Sequence, residues 1–169
     1  KKVEELEEKY EAYQYYLDAV KRDGVAYDLI TKALPTIEGE VNNILSQLVD
    51  FQMLFEMDGK NINNYIVYDD DNVWPLELSS GMERFISSLA IRVALINVSN
   101  LPRSNFLAID EGWGTMDSDN LNSVYSLFQY LKSQFQFTLI VSHIDSMRDA
   151  VDTLLEIKKE KDYSNINFG

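Results

Sequence analysis

Residues 1–23 place apolar side chains at Val3, Leu6, Tyr10, Tyr13, Leu17 and Val20. The intervals alternate between three and four residues, the seam of a coiled coil, without the drift of a helix lying on a globular core. The other positions are mostly Glu, Lys and further polar residues, with Tyr15 and Tyr16 as exceptions. Three heptads are short, so the stretch reads as the base of a longer coiled coil. An ordinary amphipathic helix is the plainer alternative. Asp23-Gly24 ends it. A second helical pattern follows at Leu29, Ile30, Ala33, Leu34, Ile37, Val41, Ile44, Leu45 and Leu48, with Pro35 expected to kink or restart it.

Residues 51–57 alternate, putting Phe51, Met53, Phe55 and Met57 on one face. Asp58-Gly59 is a hairpin turn signal, and residues 62–68 return as a second strand. Asp69-Asp70-Asp71-Asn72 lacks the Gly and the distal Glu of a calcium-binding loop and reads as a solvated acidic loop. From Met82 a helical stripe runs through Phe85, Ile86, Leu89, Ala90, Val93 and Ile96, with Ser79 or Ser80 as its N-cap. Phe106–Asp110 is a short apolar run, expected as a fully buried strand. Residues 118–134 read as a helix with Leu121, Val124, Tyr125, Phe128 and Leu131 on one face. Phe137–Val141 is another buried strand, ending at Ser142-His143. Residues 145–151 are expected as a helix, 153–158 as a last strand, and Lys158-Lys159-Glu160-Lys161 as an exposed tail. Strands alternating with helices from residue 106 onward imply parallel βαβ units and an α/β class. The expected division is 1–23, base of a coiled coil, and 24–169, a single lobe.

Two places in this layout carry chemistry. The strand from Phe106 ends in adjacent carboxylates, Asp110 and Glu111. Carboxylates at the exit of a buried strand are costly unless something pairs with them, and a metal–phosphate complex would do so. In a parallel sheet, side chains at the carboxyl ends of neighbouring strands converge on one crevice. Asp110, Glu111 and His143 therefore offer a metal-holding acid, a general base and an imidazole able to donate to a phosphate oxygen. At Ser79-Ser80-Gly81 a helix N-terminus offers free N–H groups, two hydroxyls and the positive end of a dipole, the ingredients of an anion site.

Charge narrows the choice of partners. There are 28 acids against 15 bases, a net charge of −13. Affinity for nucleic acid comes largely from Lys and Arg neutralising phosphates, so any DNA contact has to use a small local patch or a partner. No run approaches the ~18 apolar residues of a membrane span, and no secretory leader is visible. Cysteine is absent, which removes disulfides and thiolate metal sites and fits a reducing, intracellular setting (cytoplasm, nucleoid or nucleus). With Lys1 in first position, the chain reads as a piece of a longer one.

The ordered set Leu78-Ser79-Ser80-Gly81-Met82, then Asp110-Glu111, then Gly114-Thr115-Met116-Asp117, then Ile140-Val141-Ser142-His143 resembles ABC-type ATPases. These stretches look like that family's signature motif, Walker B, D-loop and switch histidine. The preceding coiled coil looks like the SMC-like branch. Asp110-Glu111-Gly112-Trp113-Gly114-Thr115-Met116-Asp117 is similar to SbcC-type repair ATPases and their phage recombination-endonuclease relatives. The signature departs from the usual form, with Ser80 in place of the first Gly and Met82 in place of Gln or Glu. No G-x-x-x-x-G-K-[ST] phosphate loop occurs in the sequence.

The resemblance implies the C-terminal half of an ABC ATPase head: a mainly parallel sheet with flanking helices plus a β-hairpin, preceded by a coiled-coil stump. It implies catalysis by Glu111 and His143, nucleotide contacts from Ser79, Ser80, Gly81 and Asp117, and Mg²⁺ at Asp110, with ATP as substrate. Implied partners are the N-terminal Walker A lobe of the same natural chain, a second head, an Mre/SbcD-type nuclease subunit and DNA. The lobe alone would be inactive. Two alternatives stay open: an SMC-type DNA tether without a nuclease, and a degenerate head serving as an interaction module.

Overall fold

The computed structural model describes residues 2–59, 61–110, 121–161 and 163–168. Helix α1 (Lys2–Val20) has no buried residue. Its seam residues Val3, Leu6, Tyr10, Tyr13, Leu17 and Val20 all face solvent, so α1 does not lie on the core. It turns into α2 (Val25–Leu45) at Gly24. A Cβ at Gly24 would stand 2.3 Å from the Ala19 carbonyl oxygen and 2.6 Å from that of Asp18, so the tight junction admits only glycine.

Helix α2 is continuous through Pro35, so the helix does not restart there. Pro35 is exposed, so its ring projects away from the packed side of the helix. The apolar pattern of α2 enters the core late. Leu29 and Ile30 are exposed, and burial starts at Leu34 and continues at Val41, Ile44 and Leu45.

That inner half of α2 packs on α3 (Gly81–Val98) and on β1 (Gln52–Met57). Strands β1, β2 (Ile62–Asp69) and β3 (Asn72–Pro75) form an antiparallel sheet in that order. β1 is an edge strand, and α2 covers part of its edge. The Asn42 side chain donates to the Met53 carbonyl at 2.9 Å and accepts from the Met53 N–H at 2.7 Å. The Glu38 carboxylate accepts from the Phe55 N–H at 2.8 Å. These bonds satisfy backbone groups that a bare edge would leave open. The hairpin turn sits at Asp58-Gly59 as expected, with Gly59 at φ 79°. The acidic stretch is a tight turn into β3, closed by Asp69 accepting from the Asp71 N–H at 3.0 Å and from the Asn72 amide at 2.8 Å. The short strand β3, with Val73 and Trp74 exposed, had no alternating pattern to announce it.

Strand β4 (Phe106–Asp110) pairs in parallel with β5 (Phe137–Val141), with α4 (Leu121–Gln134) between them in sequence. The helix expected over 145–151 is a 3-10 helix, Asp145–Ala150. The chain closes with the antiparallel pair β6 (Leu155–Glu160) and β7 (Tyr163–Phe168). The expected lysine tail is therefore the end of β6 and a turn through Lys161, at φ 49°. The α/β class and the flanking helices are as expected. The parallel part among the described residues is the β4–β5 pair, and the other sheets are antiparallel. One contiguous core joins Val41, Ile44 and Leu45 to Met53, Ile66, Ile86, Val93, Leu127 and Leu131. Among the described residues no helix is long and apolar enough to cross a membrane.

The strands β4 and β5 are not buried on both faces, as their unbroken apolar runs had suggested. Leu107, Ile109 and Ile140 turn inward. Phe106, Phe137, Leu139 and Val141 are 48%, 59%, 39% and 47% exposed on the other side.

Replacing Asn42 with Ala should lower the unfolding free energy by about 2–3 kcal/mol, because two part-buried backbone groups of Met53 lose their partner at once. Urea unfolding of the two proteins checks this. A loss under ~0.5 kcal/mol would mean the clamp on β1 is not needed.

Candidate functional site

The parallel register sets Asp110 opposite Val141. Ser142 and His143 follow directly, so Asp110 and His143 lie at the carboxyl ends of adjacent strands, the arrangement expected from the sequence. Both are exposed. The Ser142 hydroxyl accepts from the Ile144 N–H at 3.1 Å and donates to the Met147 sulfur at 3.2 Å, which shapes the turn carrying His143. Glu111 and Asp117 lie outside the described residues. Among the described residues no group of three or more His, Cys, Asp or Glu side chains could hold a metal ion. Mg²⁺ often keeps its waters and takes only one or two carboxylates beside substrate phosphates, so a site using Asp110 needs no such group.

The second cluster is at the start of α3. A 3-10 turn, Leu76–Leu78, packs against β2 and leads into it. The Ser79 N–H and hydroxyl both donate to the Leu76 carbonyl, at 3.2 and 2.7 Å. Ser80 is the N-cap, extended at φ −64° and ψ 161°. Its hydroxyl accepts from the Glu83 N–H at 3.3 Å, and the Glu83 carboxylate accepts from the Ser80 N–H at 2.6 Å, a capping box.

This narrows the expected anion site. The amides of Ser79, Ser80 and Glu83 already have acceptors. Gly81 and Met82 hold the first-turn N–H groups that helix geometry leaves without an intrahelical acceptor.

Two residues in this cluster were not singled out from the sequence. The Tyr68 hydroxyl donates to the other oxygen of the Glu83 carboxylate. Burial pushes the Glu83 carboxyl up, but hydrogen bonds from Tyr68, from the Ser80 N–H and from the Ser80 side chain outweigh it and hold Glu83 below the usual carboxylate range. Burial, then the hydrogen bond to Glu83 and its charge, push Tyr68 up to about 12. The spacing Ser80-x-x-Glu83 was a readable capping signal. Nothing in the spacing of Tyr68 pointed to its partner.

At the far end of α3 is a cavity of about 300 Å³ lined by Glu40, Asn97 and Arg103 among others. Asn97 donates to Glu40 at 2.7 Å. This cavity sits by the loop that enters β4, away from Asp110 at the strand's exit.

No family model matches the chain. An uncharacterized protein of Acanthamoeba polyphaga mimivirus is 36% identical over 170 residues, covering 91% of this chain and 13% of its own length. The SbcC component of the nuclease SbcCD from Bacillus subtilis is 25% identical over 161 residues, covering 88% of this chain and 14% of its own. The chain thus spans 13% and 14% of these curated relatives. Among solved structures, an SMC ATPase studied for ATP-driven dimerization and DNA-stimulated activation superposes with a TM-score of 0.68 at 15% identity, over 83% of this chain and 88% of that one. The Smc head domain with a coiled coil from Pyrococcus yayanosii covers 99% of this chain and 32% of its own, with a TM-score of 0.65 and 16% identity.

The chain has the fold of the C-terminal lobe of an SMC-like ABC ATPase head. The exposed α1 of this head lobe has the character of a coiled-coil stump, and the similarity to the SbcC component of SbcCD agrees with the ordered motifs.

The Tyr68–Glu83 pair makes stability depend on pH at the alkaline end. A tyrosine held above its ordinary pKa of ~10 contributes stability that is full below that value and lost as pH rises through the folded value of about 12. The stability difference between the native protein and Tyr68→Phe should therefore shrink over that window, as read by urea unfolding at stepped pH. A difference that stays constant would mean that Tyr68 does not hold its proton against Glu83.

Proposed function

We propose that this chain is the C-terminal lobe, residues 24–169, of an ATP-hydrolysing head in a DNA double-strand-break repair or recombination machine, with residues 1–23 as the base of its coiled coil. The observation that carries the reading is the parallel pairing of β4 with β5, which brings Asp110 and His143 to one end of the sheet in the expected order. The phosphate loop is absent from the sequence, so the lobe needs an N-terminal Walker A lobe to bind nucleotide. The exposed apolar face of Phe106, Phe137, Leu139 and Val141 supports such a partner. Parallel sheets are ordinarily covered on both faces, and this one is covered on one.

In this reading Glu111 takes a proton from, or orients, the attacking water. Asp110 would hold Mg²⁺, which would supply positive charge against the phosphates. His143 donates to the γ-phosphate. The Ser79 hydroxyl, turned from Leu76, joins the turn of Ser80 and Gly81 and the Met82 amide in binding the γ-phosphate carried by a second head. Asp117 lies across the seam between heads. Engagement of two heads around ATP then moves the coiled coils and regulates an Mre/SbcD-type nuclease on DNA ends, in an intracellular setting. The similarity to the SbcC component of the SbcCD nuclease supports the nuclease over a bare DNA tether.

The test is ATP turnover by this chain, alone and mixed with the segment of its parent that carries the phosphate loop. Turnover is expected only in the mixture. Glu111→Gln should lower kcat about 100-fold or more, the usual share of a general base, and prolong head engagement. A native rate in Glu111→Gln would remove Glu111 from the mechanism. Silence in a well-formed mixture would favour a degenerate interaction module.

Ser79→Arg provides a separate check. It should abolish ATP-dependent dimerisation, followed by sedimentation, while nucleotide binding to the full head persists. Dimerisation at the native level would exclude the turn at Ser79 from the interface.

A further inference from the structure

The turn at Ser79-Ser80-Gly81 has an anion of its own. The Glu83 carboxylate stands at the positive end of α3, with one oxygen on the Ser80 N–H at 2.6 Å and the other accepting from Tyr68. A carboxylate at a helix N-terminus is drawn to the same first-turn amides that a phosphate would use. What holds it to the side is the phenol. Tyr68 lies on β2, which pairs with β1 on one edge and β3 on the other. Its ring rests against Phe51 at 5.8 Å between centroids. β1 is in turn fixed to α2 by Asn42. Tyr68 itself lies one residue past the β1 pairing, at the irregularity between Val67 and Asp69 where β2 meets β3, so its ring contact with Phe51 is what seats the hydroxyl.

We propose that Tyr68 is a positioning residue for the phosphate-binding turn. By holding the Glu83 carboxylate in the capping box it keeps that charge off the Gly81 and Met82 amides and leaves them open to a nucleotide phosphate. This rests on the reading of residues 79–82 as a nucleotide contact. Without the hydroxyl, Glu83 loses one of its tethers and is free to rotate over the helix end. The turn loses order and gains a competing anion, and both changes weaken phosphate binding.

The experiment uses the full-length parent chain that supplies the phosphate loop. Tyr68→Phe keeps the ring and its contact with Phe51 and removes one oxygen. The ATP concentration for half-maximal turnover, and for half-maximal head dimerisation, should rise about fivefold, in line with one charge-assisted hydrogen bond at a partly exposed site. The rate at saturating ATP should change less than twofold. Glu83→Ala removes the competing charge and the cap together, so adding Tyr68→Phe to it should shift the ATP requirement no further. A general packing fault would instead lower the maximal rate, or add its effect to that of Glu83→Ala. An unchanged ATP requirement in Tyr68→Phe, or full additivity in the double variant, overturns the positioning role alone. No ATP turnover in the unsubstituted parent overturns the ATPase reading and this inference with it.

Discussion

The inner half of α2 is the constraint on which the lobe depends. Val41, Ile44 and Leu45 are almost fully buried. From that one stripe α2 packs on α3 and on β1. Asn42 and Glu38, on the same stretch, bond the backbone of β1 at Met53 and Phe55. A helix that supplies both the apolar seam and the edge partner of a sheet fixes the sheet's position as well as its burial. The outer half of α2 and all of α1 lack this support, and their apolar residues stand in solvent. Short isolated helices are marginal in water. The stretch from Lys2 to Ile30 therefore carries an apolar seam that the lobe itself does not cover.

β4 and β5 bury Leu107, Ile109 and Ile140 against the core and leave Phe106, Phe137, Leu139 and Val141 outside. On that outer face Phe106 and Phe137 stack at 5.4 Å. This contact orders the two strand starts without hiding them. The only parallel pair described thus keeps one apolar face outside the core.

The strongest periodicities survived contact with the structure. The three-four seam of α1, the stripe from Met82, the alternation in Phe51–Met57 and the apolar runs at Phe106 and Phe137 all became the expected elements. Each is a signal in which one repeat length dominates a window. The failures occurred where tertiary structure decided. Pro35 looked like a break, yet on an exposed side of a long helix it was accommodated. The buried-strand reading assumed cover on both faces, which a run such as Phe106-Leu107-Ala108-Ile109 implies for a whole sheet but which this chain supplies on one side. β7 and β3 are short edge strands with mixed sequences, and their pairing comes from the neighbour's register. At the site, the serine turn was legible and its occupation was not. The spacing Ser80-x-x-Glu83 carried a capping-box signal that went unread, and that box takes amides that the anion reading had counted as free.

In the nucleotide-binding reading proposed above, an acidic lobe has to hold a polyphosphate. With a net charge of −13, long-range electrostatics oppose the ligand, so affinity has to come from short, directed bonds. A helix N-terminus supplies such bonds through fixed N–H groups that cost no side-chain ordering. Its drawback here is Glu83, a charge of the wrong sign within the first turn. Substituting it away would lose the cap that holds Ser80 extended. Keeping it demands that its charge be tied to donors other than the Gly81 and Met82 amides, and the Ser80 N–H and the Tyr68 hydroxyl are those donors. The turn is thereby a capped one, with the Glu83 carboxylate shared between the Ser80 N–H and the Tyr68 hydroxyl of the neighbouring strand.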